Sequence, residues 1–420
     1  MTIIGIILVI LTFYAIVKKY ETRLVLMFSG LLMAVIGGTP EIAINAFIKE
    51  LVDPSLTPII CLTMGFSFII DATNCSNSLI SIITSWLKKA KPILIPATVI
   101  LVWFMNVALI SASGLAAAVG AILIPTLIRA GIHPAMAASA VLLGTWGSSV
   151  SPGNPFIAQV AQLADTDVMS IIIPTAPKLF ICVIITSVIL TLTAYLKKEN
   201  FSSENTYVKD DHKISKTTKI NYFYATIPLI PIVLLIISSP IVGWIPQVSI
   251  PIAMLFGTVL CLIVTRPNIK NFANFYFKGL GTGFSDIVCL IAAAAVFIQG
   301  MDSIGLTSAL IDGMRNSASI AKVSAVFGPF FLAAISGSGN AAVLAFNGTV
   351  TPHAAAFNLN IADMGSAVQA AAMLGRCLSP VAGVSIICAK LANVNPMDLT
   401  KRNAIPCIIG GIAMIILILL

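Results

Sequence analysis

Charge is scarce in this chain. The 24 lysines and arginines and 16 aspartates and glutamates make up 10% of 420 residues, against 58% hydrophobic. A soluble globular protein carries about 25% charged residues, so there is too little polar surface here to coat a globule in water. A water-soluble fold is excluded. Histidine is rarer still, with only His133, His212 and His353. The eight cysteines fall in or beside apolar segments with no CxxC and no Cys/His spacing, which argues against both a zinc site and a disulfide framework. No HExxH, GxSxG, paired-aspartate or Walker motif occurs. The chain therefore reads as neither an intramembrane enzyme nor a nucleotide-driven pump, with no catalytic residues and no resident cofactor or metal. The basic residues behind the formal charge of +8 sit in loops between apolar segments and not in one exposed cluster, so nucleic acid is not expected as a partner.

What the chain has in abundance is apolar runs near the ~20 residues a helix needs to cross a bilayer. An all-α integral membrane protein follows, in contact with membrane lipid. Met1 to Val17 has no basic leader region and no small-residue cleavage site, so the first run reads as a retained helix. The one long polar interruption, 197–221, divides the chain into a first half, 1–196, and a second, 222–420. Ser111-Ala-Ser113-Gly114 matches Ser336-Gly-Ser338-Gly339, and Ser151-Pro152 matches Ser379-Pro380 after an offset of 228. Internal similarity of this kind marks a duplicated transporter fold.

In the first half, spans are expected at 3–17, 24–40 and 56–72, a short interfacial helix at 78–87, a hairpin at 93–129, a broken span at 134–165 and a last span at 172–195. The hairpin returns to its own side, leaving five crossings per half, and an odd number inverts the second copy. With the N-terminus outside, 18 of the 24 lysines and arginines, including Lys18, Arg23, Lys88, Arg129, the linker lysines and Arg402, fall on one face. That face is then cytoplasmic, and both termini lie outside.

Two constellations carry chemistry. The Ser-x-Ser-Gly tetrapeptides interrupt apolar runs, as the tips of helical hairpins would. Gly114 and Gly339 permit the turns, and Ser113 and Ser338 are expected to cap the helices that start there. Unpaired backbone in hydrocarbon is tolerated only where protein, water or ligand satisfies it. The second constellation is Gly144 to Pro155, with Ser151 and Asn154, echoed by Gly375 to Gly383, with Arg376 and Ser379. Glycines and prolines at this density break helices. Two tips and two breaks present half-helix N-termini, each worth roughly +0.5 charge, toward the midplane. Arg376 adds a guanidinium suited to a carboxylate; pairing with Asp286 or with carbonyls is the structural alternative. Asp71 and Asp286 are the acidic residues best placed within spans to relay a proton or help bind a coupling cation, sodium or proton. Gly279-Leu-Gly281-Thr-Gly283 reads as helix packing, not a phosphate loop. Arg266 to Lys278 reads as an interfacial helix.

The stretches SGSGNAAVLAFN, TPHAA, LGRCLSPVAGV and KRNAIP between Ser336 and Gly410, with Gly65-Phe66, Ser113-Gly114-Leu115 and Ala295 to Gly305, resemble the anaerobic four-carbon dicarboxylate carriers of the DcuC type, within the ion-transporter superfamily. The resemblance implies homodimers of inverted repeats in which a transport domain slides against a scaffold, like an elevator. Scaffold helices would then occupy 1–90 and 222–320, and hairpins with broken helices 92–195 and 321–420. It implies secondary transport, by symport or exchange, of a small anion such as fumarate, malate or succinate across the bacterial inner membrane. Substrate contact would fall at Ser111, Ser113, Gly114, Ser151, Asn154, Ser336, Ser338, Gly339, Asn340, Arg376 and Ser379. The run SPGNP at the first break and Asn340 at the second tip depart from the family pattern, which leaves another small carboxylate or an amino acid open as substrate; a passive anion channel is the reading from another class.

Overall fold

The computed structural model describes residues 2–18, 20–87, 93–199, 222–238, 242, 244–307, 309 and 318–420. Most of the linker (200–221), with His212, lies outside the described residues, as do Lys88, Lys89, Lys91 and Arg315. The described residues are helical throughout, with no strand among them.

The first half runs α1 (Thr2–Val17), α2 (Thr22–Ile36), α3 (Pro40–Leu51), α4 (Leu56–Ala72), α5 (Cys75–Leu87), a hairpin of α6 (Leu94–Ala108) and α7 (Ala112–Arg129), α8 (Pro134–Leu143), α9 (Pro155–Leu163) and α10 (Val168–Leu196). The second runs α11 (Tyr222–Ile237), α12 (Ile250–Thr265), α13 (Ile269–Ser303), a hairpin of α14 (Ala318–Ser336) and α15 (Gly339–Thr349), α16 (Ile361–Arg376), α17 (Gly383–Ala392) and α18 (Pro396–Leu419). Both halves contain a hairpin followed by a broken helix and a long final helix. Helices α7, α10, α13 and α18 are each long and apolar enough to cross a bilayer, and α3 with α4, bent by 46°, make a fifth. This is a multi-pass membrane protein.

Local chemistry starts and stops these helices as expected of each residue type. Asn154, Asp167, Asn360 and Asn395 accept backbone N–H bonds at the starts of α9, α10, α16 and α18. Proline opens α3, α8, α9 and α18, where its missing N–H would be unpaired anyway.

Residues 41–55, which the expected spans at 24–40 and 56–72 leave unassigned, contain most of α3. Its apolar Ile42, Ala43, Phe47 and Leu51 recur at helical spacing, and Ala43 packs beside Ala34 and Val296. Glu41, Lys49 and Glu50 had masked that period.

Helices meet through small residues, as expected where lipid supplies no hydrophobic drive between them. Gly30 of α2 faces Gly300 of α13 so closely that a Cβ on Gly30 would come 2.5 Å from the Phe297 amide nitrogen. Helix α4 runs antiparallel to the first part of α13: Gly279 lies against Met64, and Gly283 against Ile60. Glu199, at the end of α10, and Arg402 of α18 form a nearly buried ion pair, with Arg402 Nε donating to Glu199 at 2.8 Å. That pair ties the final helices of the two halves together.

Candidate substrate site at two hairpin tips and two helix breaks

At the first tip, α6 ends at Ala108 and α7 begins after Ser111, whose Oγ accepts from the Gly114 N–H at 3.1 Å. Ser111 is therefore the cap. Ser113, expected in that role, lies inside the first turn with its side chain exposed. At the second tip the assignment holds: Ser338 Oγ accepts from the Ala341 N–H at 3.2 Å. Ser336 Oγ accepts from the Ser338 N–H at 3.2 Å and donates to Leu332 O at 2.7 Å. The physical reason for the difference is backbone. Gly337 adopts φ +76° and turns the chain before α15, whereas Ala112 continues straight into α7.

Both tips converge on the second break. Gly337 packs on Ala382, where a Cβ would stand 3.0 Å from the Ala382 nitrogen. A Cβ on Gly383 would lie 4.0 Å from Ser113 Oγ. Gly339 rests on Met373 of α16, and Asn340, the second residue of α15, is half-buried. The first break leans on the first tip, with Gly153 wedged between Ile110 and Thr63.

The breaks are also tied to each other. Arg376 Nη2 donates to Thr145 O at 2.6 Å, and Cys377 Sγ donates to Leu142 O at 3.3 Å. Both acceptors lie where α8 ends; Leu142 O also accepts from the Thr145 N–H at 3.0 Å and the Thr145 hydroxyl at 2.8 Å. Arg376 thus pairs with a carbonyl and not with Asp286, and one edge of its fork is already engaged. Its Nε is buried with no partner, as are the hydroxyls of Ser379 and Ser385. Three orphaned polar atoms within ten residues of one helix break are unusual, because burying an unpaired polar group costs about 1–3 kcal/mol.

The helix starts at the two breaks differ. Asn154, buried with Ser151, caps α9 through the Phe156 N–H at 3.0 Å and donates to Ser148 O at 2.7 Å. At α17 the N-cap is Ala382, which has no side chain to offer, and Gly383 is exposed. The amide end of α17 therefore faces open space between the tips, with partial positive charge and no internal acceptor.

Asp71 ends α4 beside the first tip. It accepts from Ser76 Oγ at 2.5 Å, and its other oxygen lies 4.0 Å from a Cβ position on Gly114. Asp286 lies elsewhere. It sits in a π turn of α13, exposed and paired with Arg23 at 3.4 Å. Asp286, expected within a span as a proton relay or cation ligand, lies in α13 with its side chain exposed and holding the Arg23 guanidinium.

Asn106, absent from the sequence reading, is fully buried at the end of α6. Its Oδ1 accepts from the Ser148 N–H at 3.0 Å and its Nδ2 donates to Leu109 O at 2.9 Å, so one amide fastens the first tip to the first break. An asparagine five residues before Ser111 in an otherwise apolar run was the available sign. A cavity of about 20 Å³ between Ile110, Ser151, Thr63 and Met254 has room for one water molecule. A larger cavity, about 700 Å³, lies away from the tips, between the start of α4, the α9–α10 turn and α12.

The chain is similar to known proteins along its whole length. A putative uncharacterized transporter of Haemophilus influenzae is 33% identical over 263 residues, covering 61% of this chain and 94% of that protein. The anaerobic C4-dicarboxylate transporter DcuC of Escherichia coli K12 is 27% identical over 446 aligned positions, 99% of this chain and 95% of that protein. The probable anaerobic C4-dicarboxylate transporter DcuC of Vibrio cholerae is 26% identical over 99% of this chain and 96% of that protein. The model of the C4-dicarboxylate anaerobic carrier family matches residues 1–420, and this chain belongs to that family.

Proposed function

We propose that this protein carries four-carbon dicarboxylates, such as fumarate, malate and succinate, across the bacterial inner membrane by secondary transport, as symporter or exchanger. The observation that carries the reading is the uncapped, exposed N-terminus of α17, set between Ser113 and Gly337. Helix N-termini of roughly half a charge each at α7, α15 and α17, with Arg376 beside them, sum to roughly +2 to +2.5, near balance for a dianion. Ser113, Gly114, Ser338, Gly339 and Asn340 line the tips; Ser379 supplies an unpaired hydroxyl beneath. Ser111, Ser151, Asn154 and Ser336 hold the backbone that presents them.

The mechanism that fits is alternating access by two inverted repeats. Helices α4 and α13 occupy the same place in their halves yet run antiparallel, as inversion requires. Each ends in a matching Asp-x-x-joint: Asp71 precedes Asn74 (φ +61°) and Asp302 precedes Gly305 (φ +71°). Helices α1–α5 and α11–α13 form the scaffold, and the hairpins, broken helices, α10 and α18 move as the transport body. The basic loops face the cytoplasm, both termini lie outside, and the protein works as a homodimer. Asp71, beside the first tip, is the residue proposed to attract the coupling cation.

The test is uptake of labelled succinate into proteoliposomes, which should saturate and be stimulated by internal succinate; a linear, unstimulated flux would assign a passive channel instead. Undiminished uptake by both Arg376→Lys and Ser338→Ala would overturn the site. Asp71 also favours a second reading, a zwitterionic substrate such as an amino acid, with its ammonium group toward that carboxylate. Thermal stabilisation by amino acids and not by dicarboxylates, with and without sodium, would select it.

A further inference from the structure

Outside the tips and breaks, one cluster of reactive side chains has no part in substrate binding. Thr73 and Asn74 form the joint between α4 and α5, and Cys75 is the first residue of α5. Cys261 approaches from α12. The Thr73 hydroxyl donates to Ile69 O at 2.8 Å and lies 3.2 Å from Cys75 Sγ and 3.4 Å from Cys261 Sγ. A single oxygen therefore touches both sulfurs, which belong to residues 186 positions apart. Both cysteines are fully buried, while Asn74, between Thr73 and Cys75, is exposed and holds the left-handed conformation.

The position matters more than the pairing. Helix α5 leads from α4 into the hairpin and packs against both of its arms. Asn74 is where the chain turns from α4 into α5, and Ser76, two residues on, donates to Asp71 beside the first tip. A covalent bond from Cys75 to Cys261 would staple this joint to α12.

We infer that Cys75 and Cys261 form a thiol–disulfide exchange site whose substrate class is the low-molecular-weight disulfides, and that its oxidation arrests the α5 arm. The chemistry balances with that one co-reactant. Cys75, as the thiolate, attacks one sulfur of the small disulfide; a mixed disulfide forms and one small thiol leaves. The Cys261 thiolate then attacks Cys75 Sγ and expels the second small thiol. The two protein sulfurs lose two electrons, the small disulfide gains them, and the two protein protons end on the two released thiols. Opening at the Asn74 joint admits the reagent, and a dithiol reverses the reaction.

This inference rests on the transport reading only for its consequence, and the experiment separates the two. The full-length protein carries Cys61→Ser and Cys289→Ser, which removes the two cysteines that are not fully buried. It is reconstituted and treated with oxidised glutathione. Proteolysis without reductant, followed by mass spectrometry, should yield one linked peptide pair containing residues 75 and 261. Succinate uptake should fall to the level of empty vesicles and return with dithiothreitol. Adding Cys75→Ser or Cys261→Ser should abolish both the link and the loss. Absence of the linked pair would overturn the site, and a linked pair with unchanged uptake would overturn the arrest of the arm. Absence of uptake before any oxidation would count against the transport reading and leave the peptide measurement to decide the exchange site.

Discussion

The two helix breaks, 144–155 and 375–383, satisfy their polar groups differently. In the first, Asn154 caps α9 and reaches back to Ser148 O, while Asn106 accepts from the Ser148 N–H. These groups have partners within the protein, and Trp146 Nε1 is the unpaired buried atom there. In the second, Ala382 leaves α17 uncapped, Ser379 and Ser385 keep unpaired hydroxyls, and Arg376 keeps an unpaired Nε. Buried polar groups are almost always paired, which is why the proposed anion site is placed at the second break.

The largest expected effect falls on the first break. Asn106→Leu removes the acceptor for the Ser148 N–H and the donor to Leu109 O, and each orphaned backbone group costs about 1–3 kcal/mol. Thermal unfolding in detergent should show the full loss, with Asn106→Asp intermediate because it keeps the acceptor alone. A stability loss under about 1 kcal/mol in Asn106→Leu would mean that the first break does not depend on this amide. The next effect falls on the second break. Arg376→Gln gives up the cation but can still donate to Thr145 O. Charge-assisted hydrogen bonds are worth about 1.5–3 kcal/mol, so succinate affinity by isothermal titration should drop roughly 10- to 150-fold. An unchanged affinity would reduce Arg376 to a clamp between α8 and α16.

Much of this layout was legible in the sequence because its cause is local. Two Ser-x-Ser-Gly runs in apolar surroundings announce tips, and glycine with proline at 144–155 and 375–383 announces breaks. Contacts between distant residues gave no such sign. Arg376 and Thr145 are 231 positions apart and share no readable motif. The caps illustrate the limit well: Ser113 and Ser338 align, but a single glycine, Gly337, decides that only the second of them caps. The apolar neighbours of Asp286 in the sequence give no sign of Arg23, 263 positions away, which holds it at an exposed turn. Helix α3 was missed because three charged residues hid its apolar face from a reading tuned to long runs.

The smallest effects come from exchanging the two caps, and they bear most directly on the comparison. Asn154→Ala should destabilise the protein by about 0.5–2 kcal/mol, the usual worth of a cap, and leave succinate affinity near its starting value, because α9 is closed to ligand in either case. Ala382→Asn should do the reverse. An asparagine there supplies α17 with its own acceptor and stabilises the empty protein by a similar amount. The same side chain then competes with the substrate carboxylate for the amides of residues 383–385, so affinity should fall as stability rises. Denaturation midpoints and titration calorimetry on the two variants read both quantities. A substrate that does not use the α17 terminus would feel no competition, and Ala382→Asn would raise stability with affinity unchanged; that result would move the anion site away from the second break and make its unpaired groups a matter of buried water.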